Sequence, residues 1–206
     1  MQTFNFLQEY ILENDRVRLR PLHHKDLDLL LPFSEQEPEI WNYSLQPANG
    51  LENLKTYIDA AIYGRKQETA YPFLVFDKRT GEVAGSTRFY DYQQTHNTVQ
   101  LGYTWYGKKF QGRGLNKQCK MLLLQFAFET LDLDRVEFRA DAKNARSISA
   151  MKSIGCTVEG ILRNNCAAPE GRRDSIVLSI LKDEWFGGVK ENLKAKIEKE
   201  RNISSQ

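Results

Sequence analysis

The sequence predicts an α+β domain in which a mixed, mostly antiparallel central sheet carries helices on both faces. Runs of alternating or continuous β-branched and aromatic residues, separated by polar turns, predict antiparallel strands in the first half of the chain. From residue 98 onward the order changes to strand, helix and strand again, which is typical of units with parallel strands. A strongly patterned helix lies at this change and follows a glycine-rich loop.

Turn and breaker residues set the limits of the predicted elements. Strict alternation predicts a strand at 16–20 that Pro21 ends, and apolar spacing predicts helices at 26–31, stopped by Pro32, and at 51–63. Further strands are predicted at 71–76, 82–90, 98–106, 135–140, 156–163 and 175–181, and further helices at 115–131 and 145–154.

The 206 residues fit one domain, predicted to span 15–182, with a short addition at each end. Residues 1–14 are expected to form an N-terminal extension, and residues 183–206 a C-terminal amphipathic helix with a frayed tail. This helix is expected to dock on the domain or on a second copy of the chain, as in a homodimer. Its apolar residues recur at four-residue spacing: Trp185, Val189, Leu193 and Ile197.

Composition argues against several classes of function. Lys and Arg number 29 against 27 Asp and Glu, so there is no general electrostatic case for binding nucleic acid or an anionic membrane. No apolar run is long enough to span a membrane, and acidic residues occupy the N-terminus where a signal sequence would be cationic, so a cytoplasmic protein is expected. The three cysteines and three histidines lack the spacing of metal ligands, so no metal site is predicted.

A phosphate site is predicted at residues 108–117, just before the long helix. Gly112 and Gly114 would let the main chain approach a pyrophosphate, and the free N–H groups at a helix N-terminus attract anions. A nucleotide P-loop would need Lys and Ser/Thr after its second glycine, and a dinucleotide site would need a small residue where Lys117 stands. A glycine-rich turn that only begins a helix is the alternative. Four cations surround this segment: Lys108, Lys109, Arg113 and Lys117.

The segment Gln111-Gly112-Arg113-Gly114-Leu115-Asn116 resembles the coenzyme A pyrophosphate loop of the GNAT N-acetyltransferases, with Asn116 in place of the usual glycine or alanine. The chain from Arg16 to Leu181 is similar to the GNAT subgroup that includes the ribosomal-protein N-terminal acetyltransferases. The matching segments occur in the family's order at 16–22, 102–105, 111–116, 141–147, 159–163 and 173–175.

This resemblance implies the GNAT fold, acetyl-CoA as co-substrate, and direct transfer of the acetyl group to a primary amine. It implies that backbone groups at Trp105 and Tyr106 hold the pantetheine arm and polarise the thioester carbonyl. It also implies that Asn144 contacts the arm, although Asn144 is equally typical of a helix N-cap. The residues expected at the phosphates are Gln111, Gly112, Arg113, Gly114, Leu115 and Asn116.

Two catalytic residues are expected from the same resemblance. Ser147 would protonate the departing thiolate, because Met151 stands where the wider superfamily often has a tyrosine acid. Glu159 is the candidate general base, with a structural pair between Glu159 and Arg163 as the alternative.

The sequence therefore predicts an acetyl-CoA-dependent N-acetyltransferase whose acceptor is an α-amine of a protein, peptide or small molecule. An α-amine is favoured over lysine because its pKa is about 7.7–8.0 rather than about 10.4, and the sequence offers no strong base. Asn116 and Met151 leave open an acyl-CoA-binding module with little or no catalytic activity. Nucleic-acid binding by the four cations is disfavoured, since coenzyme A phosphates already account for them.

Overall fold

The computed structural model describes residues 4–168 and 171–203. Its centre is one eight-stranded sheet with the order β1-β2-β3-β4-β5-β6-β8-β7. Strands β5 and β6 run parallel, and the other neighbouring pairs are antiparallel, so the prediction of a mixed, mostly antiparallel sheet is confirmed. The strands are β1 (Leu12–Glu13), β2 (Val17–Pro21), β3 (Ala70–Asp77), β4 (Glu82–Gln93), β5 (Thr98–Tyr106), β6 (Arg135–Asp141), β7 (Thr157–Ala168) and β8 (Gly171–Leu181).

Helices cover both faces of the sheet. Alternate side chains of a strand point to opposite faces, and β3 shows the result. Its Phe73 and Val75 belong to the apolar cluster beneath α3, whereas Leu74 belongs to the cluster formed with α1 and α2. The helices are α1 (Leu27–Gln36), α2 (Leu51–Lys66), α3 (Leu115–Gln125, continued by a π-helical turn at Phe126–Thr130), α4 (Ala145–Ser153), α5 (Lys182–Glu184) and α6 (Lys190–Ile203).

Helix α1 passes through Pro32, so the prediction that this proline ends the helix is wrong. A proline inside a helix costs about 3 kcal/mol, because it removes one hydrogen bond and crowds the preceding turn. Tertiary contacts offset that cost here. Leu30 and Ser34 are buried, and the Ser34 hydroxyl shares its one proton between the backbone carbonyls of Ala48 and Gly50.

Both terminal segments pack against the domain. Phe4, Phe6 and Tyr10 are buried in the same apolar cluster as α3, so residues 4–14 extend the core. At the other end, Trp185 and Leu193 are buried in that cluster as well. The single continuous helix predicted from residue 183 is interrupted by a kink at Gly188, whose φ is 142°. Residues 204–206 of the predicted frayed tail lie outside the described residues.

The parallel pair β5 and β6 separates after a short stretch of pairing. Residues 98–100 of β5 pair with residues 135–137 of β6. Beyond them β5 continues to Tyr106 and β6 to Asp141 without pairing with each other. A bulge lies in the diverging part of β5, since Tyr103 and Thr104 oppose the single residue Thr87 between two regular pairs. Backbone groups on diverging strands are free to bind a ligand. The fold therefore provides a wedge between β5 and β6.

Within the described residues, no helix combines the length and apolar character needed to cross a membrane.

Candidate active site

The glycine-rich loop lies at the mouth of the wedge, where it connects β5 to α3. Gly112 and Gly114 have φ values of 71° and 77°, a left-handed conformation that glycine adopts without strain. Gly114 is the N-cap of α3, so the first amides of the helix face outward at this point. Phe110 and Leu115 are buried on either side and fix the loop to the core. This arrangement suits an anionic ligand at the helix N-terminus.

The three lysines at the loop pair with carboxylates from elsewhere in the chain. Lys108 pairs with Glu39, and Lys109 Nζ lies 2.6 Å from Glu82 Oε1. Both pairs are largely exposed, and exposed pairs contribute little stability, so either lysine can exchange its partner for a phosphate at small cost.

A carboxylate of α6 reaches the same loop. Glu200 Oε1 lies 2.5 Å from Lys117 Nζ. Its Oε2 lies 2.9 Å from the position that a Cβ on Gly114 would take. A negative charge at this place is stabilised by the N-terminus of α3, as a phosphate would be. A pyrophosphate bound here would therefore compete with Glu200 for Lys117.

Hydrogen bonds join the end of β5 to both neighbouring helices. Gln111 Nε2 donates to the Tyr106 carbonyl at 2.6 Å, and Arg146 Nη2 in α4 donates to Gln111 Oε1, also at 2.6 Å. The hydroxyl of Tyr106 donates to Asn116 Oδ1 at 3.3 Å. Tyr106 is buried, and burial raises the pKa of its hydroxyl well above the usual value, so the hydroxyl stays a donor. This contact explains the asparagine at 116, which gives a buried hydroxyl a partner where glycine or alanine could not.

Asn144 and Ser147 lie at the start of α4, beyond the end of β6. Asn144 is the N-cap, and its Oδ1 accepts a hydrogen bond of 3.0 Å from the backbone N–H of Ser147. The cap engages the oxygen, so the side-chain amide N–H groups of Asn144 can still serve a ligand. Met151 is buried further along the helix. The N-termini of α3 and α4 thus lie on the same side of the wedge, joined through Gln111 and Arg146.

A sequence profile described as an Acetyltransferase (GNAT) domain matches residues 16–157. The chain belongs to this family. A relative provisionally named a ribosomal N-acetyltransferase, YdaF of Bacillus subtilis (strain 168), is 27% identical over 179 residues, covering 84% of this chain and 96% of the relative. Spermidine N(1)-acetyltransferase of Escherichia coli (strain K12) is 22% identical over 170 residues, covering 82% of this chain and 88% of the relative.

A solved structure from T. thermophilus, provisionally described as an acetyltransferase, superposes with a TM-score of 0.82 at 33% identity, covering 95% of this chain and 99% of that one. The predicted family and the predicted GNAT fold are confirmed. The chain is accordingly an acetyl-transferring enzyme. Among the residues that the structure describes, no group of three His, Cys, Asp or Glu side chains could hold a metal ion.

The carboxylate of Glu159, the candidate base, is directed away from the glycine loop. Glu159 lies in a bulge of β7 at the level of Phe138 and Arg139 of β6, two to three residues before Asp141 and the start of α4. That is roughly 7–10 Å along the strand at about 3.3 Å per residue, and the carboxylate reaches back to Ser179, which pairs with Glu137 further from α4. The geometry therefore does not support Glu159 as the base of this GNAT enzyme.

The contacts of Glu159 account for its presence. Its Oε1 accepts hydrogen bonds from the Ser179 hydroxyl and from Arg135 Nη1, the latter at 2.6 Å. These bonds, the one from Ser179 first, lower the pKa of the Glu159 carboxyl, which makes it a weaker base. The alternative prediction of a structural pair had the wrong partner, since Arg135 and not Arg163 forms the ion pair.

Sequence analysis missed two buried cations beside the bulge. Lys120 of α3 is 5% exposed, and its Nζ donates to Thr104 Oγ1 at 2.7 Å and to Thr87 Oγ1 at 3.4 Å. Arg88 of β4 is 4% exposed and lies on the opposite face of the strand from its neighbour Thr87. The burial of Lys120 could have been anticipated, because it stands one helical turn before the apolar residue Leu124. A lone arginine in a strand gave no comparable signal.

Proposed function

We propose that this GNAT enzyme transfers the acetyl group of acetyl-CoA directly to the α-amine of a protein, peptide or small molecule. The observation that carries the proposal is the wedge between β5 and β6, which opens beside the glycine loop and the N-terminus of α4. Such a wedge supplies both an anion site and unpaired strand edges within one cleft. Relatives named for ribosomal and for spermidine acceptors are consistent with amines as the substrate class.

The residues present fit acetyl-CoA, which supplies the acetyl group as an activated thioester. The amides from Gly112 to Asn116 and the side chain of Lys117 would hold the pyrophosphate, at the place where the carboxylate of Glu200 now lies. The free edge of β5 at Trp105 and Tyr106 would hold the pantetheine arm and polarise the thioester carbonyl, and preorganised donors in that role commonly contribute about 3–4 kcal/mol each. Asn144 would bind the arm through its side-chain amide.

The acceptor must reach the thioester as a neutral amine, and this limits its chemistry. At about pH 7.5 roughly a quarter or more of an α-amine is neutral, whereas a lysine side chain is neutral in only about one part in a thousand. The carboxylate of Glu159 is engaged by Arg135 and Ser179, so it is not available to remove the extra proton of a lysine. An α-amine is therefore the better acceptor.

Thiol release from acetyl-CoA tests this function with two sets of peptides whose first residues are varied. One set has a free α-amine and no lysine, and the other has a blocked N-terminus and a single lysine. The free α-amines are expected to show kcat/KM values at least about tenfold higher. Equal or faster transfer to the blocked peptides would overturn the choice of α-amine. Tight acetyl-CoA binding without thiol release by any amine would favour the acyl-CoA-binding module instead.

Ser147 is proposed as the acid that protonates the departing thiolate. Because this interaction matters only as the thiol leaves, Ser147→Ala should lower kcat about tenfold to a hundredfold and leave KM for acetyl-CoA nearly unchanged. Asn144→Ala should instead raise KM, since it removes a contact to the arm in every bound state. Ser149 lies exposed on the same helix, so Ser149→Ala is a matched control. An unchanged kcat for Ser147→Ala from about pH 6 to about pH 9 would remove the serine from this role.

A further inference from the structure

Arg88 is a buried cation for which the described fold supplies no counter-charge. The other enclosed arginines have carboxylate partners: Arg16 pairs with Asp77, and Arg20 binds both oxygens of Asp26 at 2.6 and 2.8 Å. The Nε and Nη2 atoms of Arg88 are buried without a hydrogen-bond partner. A buried, unpaired guanidinium is strongly unfavourable, so a partner is expected from outside the described chain.

The aromatic rings around Arg88 leave one edge of its guanidinium for that partner. The Cζ atom lies 4.0 Å from the ring centroid of Tyr103 and 4.8 Å from that of Tyr57, so cation–π contacts stabilise the charge. The faces of these rings do not replace an oxygen acceptor for the N–H groups that lie in the guanidinium plane. The N–H groups of Nε and Nη2 form one side of the planar fork, which matches the two oxygens of a carboxylate.

A third buried donor without a partner belongs to the same group of side chains. Trp41 Nε1 is buried and unpaired, and the Trp41 ring lies 5.8 Å from that of Tyr57 and 4.8 Å from that of Trp105. In contrast, Trp105 Nε1 is satisfied by the Tyr57 hydroxyl at 3.3 Å. All the unpaired atoms near Tyr57 are thus N–H donors, which complement a ligand rich in oxygen acceptors.

The position of Arg88 in β4 places the unpaired donors close to the proposed site of acetyl transfer. Arg88 pairs with Gly102, directly before the bulge, and Ser86 two residues away pairs with Trp105. Two residues of strand span about 7 Å, so a group bound at Arg88 can belong to the molecule whose amine reaches Trp105. Tyr103 has φ 49° in the bulge and is 37% exposed, so its ring forms the outer wall of this site.

We propose that Arg88 binds a carboxylate of the acceptor, so that the enzyme acetylates amines that carry an acidic group a few bonds from the nitrogen. This inference rests on the proposed N-acetyltransferase function and specifies its substrate class. The carboxylate can be the side chain of an acidic first residue in a peptide or the α-carboxylate of a free amino acid. A polyamine is a poor acceptor, because its additional positive charges would lie beside an unpaired guanidinium.

Two arms of one kinetic experiment distinguish these sources. The first compares amidated peptides that begin with Asp or with Asn, and the second compares free amino acids with their amides. The wild-type enzyme is expected to prefer the acidic member of at least one pair about tenfold or more in kcat/KM. In Arg88→Met this preference should fall to about one while the Kd of acetyl-CoA stays unchanged. Equal rates for both members of both pairs in the wild-type enzyme would overturn the proposal, and this outcome requires no variant to fold.

A second measurement separates the carboxylate site from catalysis. The acetylated forms of the Asp and Asn peptides are titrated into the enzyme with CoA present. The site is supported if the wild type binds the acidic product more tightly and Arg88→Met loses this preference. This result would stand even if no amine is acetylated, and then only the proposed function would fail. Equal binding of both products overturns the site. Arg65 stacks on Tyr71 at 4.6 Å and bonds backbone carbonyls, so Arg65→Met is the matched control and should keep the acidic preference.

Discussion

Gly114→Val is expected to weaken acetyl-CoA binding at least about a hundredfold, roughly 2.7 kcal/mol. Gly114 has φ 77°, a conformation that a β-branched residue adopts only under strain. A side chain at this position would also project to where Glu200 Oε2 lies, which is the proposed seat of the pyrophosphate. The substitution therefore both blocks the proposed pyrophosphate site and distorts the first turn of α3. Calorimetric titration of the folded variant with acetyl-CoA measures the loss.

Gly81 provides the control for backbone strain. It has φ 72° in the turn between β3 and β4, and a Cβ there would meet nothing within 4 Å. Gly81→Val should thus lose stability comparable to that lost by Gly114→Val and keep its affinity for acetyl-CoA. When Gly114→Val is combined with Glu200→Ala, the new side chain at position 114 no longer meets the Glu200 carboxylate. Acetyl-CoA binding should still remain weak in this double variant. Undiminished affinity in folded Gly114→Val would remove the phosphate-loop assignment.

The elements defined by local sequence could be predicted well. Two glycines at a helix entrance predicted the loop that the structure places at Gly112 and Gly114, and alternation predicted β5 with the limits observed, Thr98–Tyr106. Local pattern failed where a distant contact outweighs it, as at Pro32, where packing around Ser34 carries the helix through.

The parts of the site that were missed depend on strand pairing and on distant segments. The position of Glu159 follows from its register with β8 and not from its neighbours in sequence. Glu200 contacts Lys117 across 83 residues of sequence, so its place at the loop depends on how α6 packs. Arg88 became notable only when the structure placed two tyrosine rings and no carboxylate beside it. A single sequence carries none of this information, since each fact joins residues far apart in the chain.

Lys120→Met is expected to raise the free energy of unfolding at about pH 7 by on the order of 2 kcal/mol. The Lys120 ammonium is buried with hydroxyl partners and no carboxylate, and burial lowers its pKa to about 8 from the usual 10.5. Replacing an uncompensated buried charge by an apolar chain of similar length removes that cost. The hydroxyls left behind stay satisfied, because Thr87 and Thr104 already bond each other at 2.7 Å.

The sign of the pH dependence follows from the lowered pKa. Below about pH 8 the lysine is protonated in both folded and unfolded chains, so the full cost of burying the charge is present. Between about pH 8 and about pH 10.5 the unfolded chain binds more protons than the folded one, so Lys120 destabilises the wild type progressively less. The stability difference between the variant and the wild type should therefore shrink across this range from on the order of 2 kcal/mol toward zero.

Denaturant unfolding of both proteins at several pH values tests this difference. Burial raises the pKa of Tyr71 to about 12 and of Cys119 to about 11, so both proteins lose stability in strong alkali, and the comparison between them largely cancels that loss. The conservative variant Lys120→Arg should be less stable than Lys120→Met at every pH, because its charge cannot be released. A stability difference between Lys120→Met and the wild type that stays constant from about pH 7 to about pH 10.5 would show that Lys120 keeps an ordinary pKa despite its burial.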